Sequence, residues 1–76
     1  MKKVTVYSKP NCMQCNFTKK FLDDNAIDYT TINVYEDNSA LEFVNELGFK
    51  SLPVVEIEGE EPFFGFRPDR LESLIC

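Results

Sequence analysis

The apolar positions of this chain alternate between a short extended pattern and a helical spacing, which predicts strands and helices in turn. The first segment, Val4 to Tyr7, is β-branched and aromatic, as is typical of a central strand. After a turn at residues 8–11, a helix is expected from about Cys12 to Asp24, with Asn25 as its C-terminal stop. Its predicted buried face consists of Met13, Phe17, Phe21 and Leu22, while Gln14, Thr18, Lys19 and Asp23 are expected to face outward.

A second strand is predicted over Asp28 to Val34, so that strand, helix and strand form a right-handed unit with parallel strands. The segment Asp37-Asn38-Ser39 then opens a second helix. Ser39 and Glu42 match a capping box, although Asp37 or Asn38 is an alternative cap. Gly48 fits the left-handed position after the helix, with Phe49 as the following hydrophobic contact. The predicted apolar stripe of this helix consists of Leu41, Val44 and Leu47.

The last third of the chain predicts two more strands and a short helix. Pro53 to Ile57 reads as the third strand, and Glu58 to Glu61 as a hairpin turn. Pro62 indicates that the fourth strand, which continues through Phe64, lies at an edge of the sheet. Pro68 suits the first position of the final helix, whose predicted buried residues are Leu71, Leu74 and Ile75. The order βαβαββα predicts an α/β fold, a four-stranded mixed sheet flanked by three helices.

Composition restricts the class of protein. The 76 residues are expected to form one domain, residues 1–76, and the hydrophobic fraction of 43% suffices for its core. No apolar run is long enough to span a membrane, and no signal peptide follows Met1. The net charge of −5 argues against nucleic acid as a partner, although the first 22 residues hold five lysines and no acid. We therefore expect a monomeric, cytoplasmic protein without a membrane or nucleic-acid partner.

Cys12 and Cys15 stand at the predicted turn from strand to helix. Two residues separate them, which is the spacing of a reversible dithiol pair. Unpaired N–H groups at a helix start stabilise a thiolate, and similar environments lower thiol pKa values to roughly 3.5–7.5. Cys12 is predicted to be the exposed attacking sulfur. Cys15, one turn later and more buried, is predicted to resolve the mixed disulfide. Lys9 is the lysine expected nearest to Cys12.

A cysteine pair with this spacing has two other common uses, as a structural disulfide and as part of a metal site. A structural disulfide closing so short a loop removes little chain entropy. A tetrahedral metal site needs four ligands, whereas this chain has three cysteines and no histidine, so a shared metal or iron–sulfur site would need a dimer. Redox chemistry is therefore favoured, with no metal and no cofactor. Cys76 is interpreted as an incidental thiol whose main risk is intermolecular oxidation.

The chain resembles the thioredoxin-like fold in its Cys12-Met13-Gln14-Cys15 motif and in Leu52-Pro53, which that fold places as a cis-proline before the third strand. Its small size is similar to that of glutaredoxins. The segment Gly65-Phe66-Arg67-Pro68-Asp69 resembles the NrdH-type redoxins, which donate electrons to class Ib ribonucleotide reductase and are reduced by thioredoxin reductase. The resemblance implies these two partners. The client is expected to be the large subunit of class Ib ribonucleotide reductase. Where the family usually has Trp-Ser, this chain has Phe63-Phe64.

The resemblance also implies a partner surface around the thiols. Each of its residues has an ordinary structural alternative: a turn lysine, helix packing, a strand start, or pairing of Arg67 with Asp69. Tyr7 is expected in the core, with a border on the disulfide as the alternative. The expected partner-contacting residues are Lys9, Met13, Gln14, Leu52, Pro53, Gly65, Phe66 and Arg67.

Two other functions compete with that of an NrdH-type redoxin. A glutathione-dependent glutaredoxin commonly carries a Gly-Gly-x-Asp stretch before its last helix, but here the second glycine is Phe66, whose side chain would crowd the tripeptide. Reduction by thioredoxin reductase is therefore preferred to reduction by glutathione. The other competing function is that of a non-enzymatic module such as an iron–sulfur carrier.

Overall fold

A computed structural model describes residues 2–75, and its elements follow the predicted order. Three of the strands lie within the predicted segments, whereas β1 continues one residue further, to Ser8, which was expected in the turn. The third helix continues into one turn of 3₁₀-helix. The bounds are β1 (Val4–Ser8), α1 (Met13–Asp24), β2 (Thr30–Asn33), α2 (Asn38–Glu46), β3 (Val54–Ile57), β4 (Phe63–Phe64), α3 (Pro68–Leu71) and the 3₁₀ turn Glu72–Leu74.

The sheet has the strand order β2-β1-β3-β4, which places β1 and β3 in the centre. The strands β1 and β2 pair in parallel, so the predicted strand–helix–strand unit is confirmed. The strands β1 and β3 pair antiparallel, as do β3 and β4. β4 lies at an edge, as Pro62 indicated. β2 is shorter than predicted, because it is an edge strand whose ladder with β1 begins only at Thr30.

The sheet buries a separate apolar cluster on each face, because successive strand residues point to opposite sides. The cluster under α1 and α3 consists of Val4, Val6, Leu22, Val55, Ile57, Phe63 and Leu71. The cluster under α2 consists of Tyr7, Val34, Ala40, Val44 and Val54. Tyr7 therefore lies in the core, where its ring centroid is 5.5 Å from that of Phe43.

The predicted buried face of α1 was partly wrong. Thr18, expected outside, is completely buried, whereas Met13 is 73% exposed and Phe17 is 49% exposed. The residues of α1 that are buried are Cys15, Thr18 and Leu22, which are spaced by three and four residues, and Leu22 is the one member of the predicted face among them. The Thr18 hydroxyl donates to the Gln14 carbonyl oxygen at 3.0 Å, so its burial leaves no polar group unpaired.

The start of α2 is capped by Asp37 rather than by Ser39. Asp37 Oδ1 accepts a hydrogen bond from the Ala40 backbone N–H at 3.1 Å. The helix buries Ala40 and Val44. The predicted stripe was therefore wrong at Leu41 and Leu47, each of which is 37% exposed.

The end of α2 confirms the prediction for Gly48. Its φ of +88° is the left-handed conformation that favours glycine. Gly48 N–H donates to the Asn45 carbonyl and Phe49 N–H to the Val44 carbonyl, which are the two hydrogen bonds of a Schellman motif. Phe49 then packs against the cluster under α2, so the chain is directed towards the loop before β3.

The final helix begins at Pro68 and buries Leu71, as predicted. Leu74 is partly buried, but Ile75 is 44% exposed, because the helix tightens into a 3₁₀ turn and ends before it. Cys76 lies outside the described residues. In residues 2–75, no helix is long and apolar enough to cross a membrane.

Candidate active site

The cysteine pair sits where the chain leaves β1 and enters α1. Asn11, with a φ of +58°, turns the backbone, and Cys12 is the extended N-cap residue of the helix. The Cys12 Sγ accepts a hydrogen bond from the Cys15 backbone N–H at 3.2 Å. The two sulfurs form a disulfide across a Cα–Cα distance of 5.2 Å. The spacing of three residues therefore brings both sulfurs to the same end of the helix.

The two cysteines differ in exposure in the predicted order, but both are buried. Cys12 is 7% exposed and Cys15 is 1% exposed. The expectation of an exposed Cys12 was therefore wrong in degree. Its Sγ lies 3.8 Å from the Leu52 carbonyl oxygen, so the loop before β3 covers one side of the disulfide. Cys12 is therefore the more accessible of the two cysteines.

The covering loop contains a cis peptide bond between Leu52 and Pro53, as the resemblance implied. The buried Pro53 has no N–H, and its carbonyl accepts a hydrogen bond from Gly65 N–H at 2.8 Å. Gly65 has a φ of +82°, and a Cβ at this position would lie 3.3 Å from Gln14 Oε1. The backbone conformation thus favours a glycine here, and a Cβ would also press on the end of the Gln14 side chain.

Gln14 joins the cysteine motif to the segment after β4. Its Oε1 accepts a hydrogen bond from Phe66 N–H at 3.3 Å, although the two residues are 52 positions apart. The Phe66 ring centroid lies 6.0 Å from that of Phe17 and 6.3 Å from that of Phe21. Phe17, expected in the core, therefore joins an exposed apolar surface with Met13. Their spacing of four residues on a helix was the signal that they share a face.

The two basic residues predicted for the site, Lys9 and Arg67, differ in whether they form an ion pair. Lys9 is exposed, and in residues 2–75 it forms no ion pair. Arg67 binds Asp69 through two hydrogen bonds, Nε to Oδ1 at 3.2 Å and Nη2 to Oδ2 at 3.0 Å. This pairing raises the pKa of Arg67 and lowers the pKa of Asp69. The structural role foreseen for Arg67 as the partner of Asp69 is therefore present.

Tyr7 and the acidic residues are the further candidate sources of charge or metal ligands at the site. Burial raises the pKa of Tyr7, with a smaller contribution from the carboxylate of Glu56, so its phenol is neutral at pH 7. Over the described residues 2–75, no group of three or more Cys, Asp or Glu side chains is placed to hold a metal ion. The nearest partial charges to Cys12 Sγ come from backbone groups, the Cys15 N–H at 3.2 Å and the Leu52 carbonyl oxygen at 3.8 Å.

The site geometry agrees with the comparisons to known proteins. The glutaredoxin family model matches residues 4–61. The glutaredoxin-like protein NrdH of Lactococcus lactis subsp. cremoris is 45% identical over 71 residues, which cover 93% of this chain and 97% of that protein. The chain belongs to the glutaredoxin family, among its NrdH-type redoxins. It is thus a thiol–disulfide oxidoreductase whose redox-active pair is Cys12 and Cys15.

Two further similarities support this NrdH-type redoxin assignment. The NrdH protein of Escherichia coli K12 is 38% identical over 72 residues, covering 95% of this chain and 88% of that protein. The solved structure of the Escherichia coli NrdH-redoxin, described as having a thioredoxin-like activity profile, has a TM-score of 0.91 and 35% identity. It covers 97% of this chain and 96% of that one, which confirms the thioredoxin-like fold.

Proposed function

We propose that this redoxin carries electrons from thioredoxin reductase to a disulfide of class Ib ribonucleotide reductase. The NrdH-type assignment supports the choice of client. The thioredoxin-like activity profile attributed to the Escherichia coli relative supports the choice of reductant. The single observation that carries the chemistry is the Cys15 N–H bonded to Cys12 Sγ, with both sulfurs close enough to bond each other.

In the proposed reaction, Cys12 attacks first. Its thiolate bonds to one sulfur of the client disulfide, and the other client sulfur leaves as a thiolate that takes up a proton. The Cys15 thiolate then bonds to Cys12 Sγ, and the second client sulfur leaves as a thiol. Two electrons have passed to the client. Thioredoxin reductase then returns the Cys12–Cys15 disulfide to the dithiol. The exposure of 7% for Cys12 against 1% for Cys15 supports this order.

The proposed docking surface surrounds Cys12. Met13 is its most available apolar side chain, at 73% exposure, and Phe17 extends it along α1. The Pro53 carbonyl is already bonded to Gly65 N–H, whereas the Leu52 carbonyl oxygen lies 3.8 Å from Cys12 Sγ, so a client strand would pair with the backbone at Leu52, beside the reacting sulfur. The complete surface consists of Lys9, Met13, Gln14, Phe17, Leu52, Pro53, Gly65, Phe66 and Arg67.

Glutathione is the alternative reductant, and Phe66 argues against it. The Phe66 N–H is already bonded to Gln14 Oε1, so it is not free to bind a tripeptide carboxylate. Its ring packs against Phe17 and Phe21 and occupies space beside the backbone. A glutathione site here would require this side chain and the Gln14 hydrogen bond to move.

A coupled assay tests the choice of reductant. The oxidised protein is mixed with NADPH and thioredoxin reductase in one series, and with millimolar glutathione, glutathione reductase and NADPH in another. We expect the first series to reduce the disulfide much faster, followed as NADPH consumption. Equal or faster reduction by glutathione would contradict the proposal and favour a glutathione-dependent glutaredoxin.

A trapping experiment tests the client and the roles of the two sulfurs. With Cys76→Ser as background, a Cys15→Ser variant should accumulate a mixed disulfide with the large subunit of class Ib ribonucleotide reductase, because nothing resolves it. The matched Cys12→Ser variant should trap none. Trapping by the Cys12→Ser variant instead would reverse the assigned roles, and trapping by neither would contradict the choice of client.

A further inference from the structure

We propose that Thr18 is a positioning residue for the Cys12 thiolate, acting through the peptide group between Gln14 and Cys15. Thr18 is completely buried, and its hydroxyl donates to the Gln14 carbonyl oxygen at 3.0 Å. The N–H of the same peptide group belongs to Cys15 and donates to Cys12 Sγ at 3.2 Å. One peptide group therefore connects the buried hydroxyl to the sulfur.

The physical reason is the conjugation of the amide. A donor on its carbonyl oxygen draws electron density from the nitrogen, so the N–H becomes a stronger donor at the other end. In an α-helix each hydroxyl of this type reaches the carbonyl four residues earlier, and only position 18 reaches the Gln14 carbonyl in this way. The strengthened N–H bond favours the thiolate over the neutral thiol, because hydrogen bonds to charged acceptors are the stronger ones.

The sign of the effect follows. Without the Thr18 hydroxyl, the Cys15 N–H is a weaker donor, so the pKa of the Cys12 thiol rises and its thiolate fraction falls. The dithiol is then less favoured relative to the disulfide, which makes the protein more reducing. This inference rests on the proposed function, in which Cys12 is the attacking sulfur.

The test uses alkylation of the reduced full-length protein in a Cys76→Ser background. Iodoacetamide labelling of Cys12 is followed by peptide mass spectrometry as a function of pH. Thr18→Val removes the hydroxyl at nearly constant shape, and Thr18→Ser keeps it. For Thr18→Val we expect a thiolate fraction below the pKa that is lower by a factor of roughly 1.3 to 4.5, the size of a 10–30% change in a charge-assisted hydrogen bond. Thr18→Ser should retain the profile of the unsubstituted position.

A remote control has the same kind of bond. The Ser73 hydroxyl donates to the Arg70 carbonyl at 2.9 Å in the last helical segment, so Ser73→Ala should leave the Cys12 profile unchanged. An unchanged profile in folded Thr18→Val, or equal shifts in Thr18→Val and Thr18→Ser, would overturn the inference. If Cys12 is no more acidic than free cysteine in the parent protein, the proposed attacking role fails instead.

A measurement on the parent protein avoids the substitutions. In an NMR titration of the reduced form, the Cys15 amide nitrogen and the Thr18 side-chain resonances should shift with the same midpoint as Cys12. A Cys15 amide that follows Cys12 while Thr18 stays constant would contradict the connection through the peptide group. This readout does not depend on any client or reductase.

Discussion

The helices α1 and α2 begin with the same local hydrogen bond made by different atoms. Cys12 Sγ accepts from Cys15 N–H at 3.2 Å, and Asp37 Oδ1 accepts from Ala40 N–H at 3.1 Å. Both cap residues are extended, with φ of −107° and −136°, and neither helix has an acidic residue in its first turn. Judged by the cap alone, the two helix starts are equivalent.

Their surroundings are different. Asp37 is exposed, whereas Cys12 is buried and has the Leu52 carbonyl oxygen 3.8 Å from its Sγ. A carboxylate in water at a helix start stabilises the helix and does little else. A sulfur at the same position, with a second sulfur three residues later, can exchange disulfides. The chemistry thus comes from the capping atom and its tertiary neighbours, while the helix start supplies the stabilisation of negative charge.

The largest expected effect separates capping from chemistry at α1. Cys12→Ser should abolish turnover in the reductase-coupled assay, because no thiolate remains to attack. Serine is a favoured N-cap residue, so the reduced variant should unfold at nearly the same urea concentration as the reduced parent. Turnover above the blank would contradict the assigned role, and a large loss of stability would show that the sulfur is needed for the fold.

A second prediction tests whether the contact between Gly65, after β4, and Gln14, in α1, matters for stability and turnover. Gly65→Ala places a side chain at a φ of +82° and 3.3 Å from Gln14 Oε1, whereas Gly59→Ala has a similar φ of +83° and open space. Each should lose roughly 1–2 kcal/mol of unfolding free energy from backbone strain. Gly65→Ala should lose more, and it alone should lower turnover. Equal effects on stability and turnover would show that the contact with Gln14 is unimportant.

A third effect breaks the cap of α2. Asp37→Ala should lower the free energy of unfolding by about 0.5–2 kcal/mol, because the Ala40 N–H loses its acceptor. Turnover per folded molecule should stay unchanged, since α2 carries no reacting group. Urea unfolding and the coupled assay on the same preparation measure both. A loss of turnover in a fully folded sample would contradict the claim that the start of α1, and not that of α2, serves the chemistry.

The smallest expected effect checks the capping box that the sequence suggested. Ser39→Ala should change the free energy of unfolding by less than about 0.5 kcal/mol, because Asp37 and not Ser39 accepts the Ala40 N–H. The comparison is made against Asp37→Ala under identical urea conditions. A loss as large as that of Asp37→Ala would mean that Ser39 also caps α2 in solution.

The element order and the redox pair were predictable because their signals are local. The C-x-x-C spacing, the strand residues of β1 and the left-handed Gly48 each depend on a few neighbouring residues. The buried faces of α1 and α2 were harder, since a period of 3.6 residues allows more than one stripe. At Thr18 the helix buried a hydroxyl that bonds within its own backbone, a possibility that a pattern of apolar residues does not reveal.

The order of elements, the helix start beneath two sulfurs and the proline before β3 follow from residues close together in the chain. Only the folded arrangement brought Gln14 to Phe66, the Pro53 carbonyl to Gly65 and the Leu52 carbonyl to Cys12. These contacts join segments up to 52 positions apart. Local preferences act through neighbouring backbone groups, whereas access to a sulfur depends on which distant chain segments cover it.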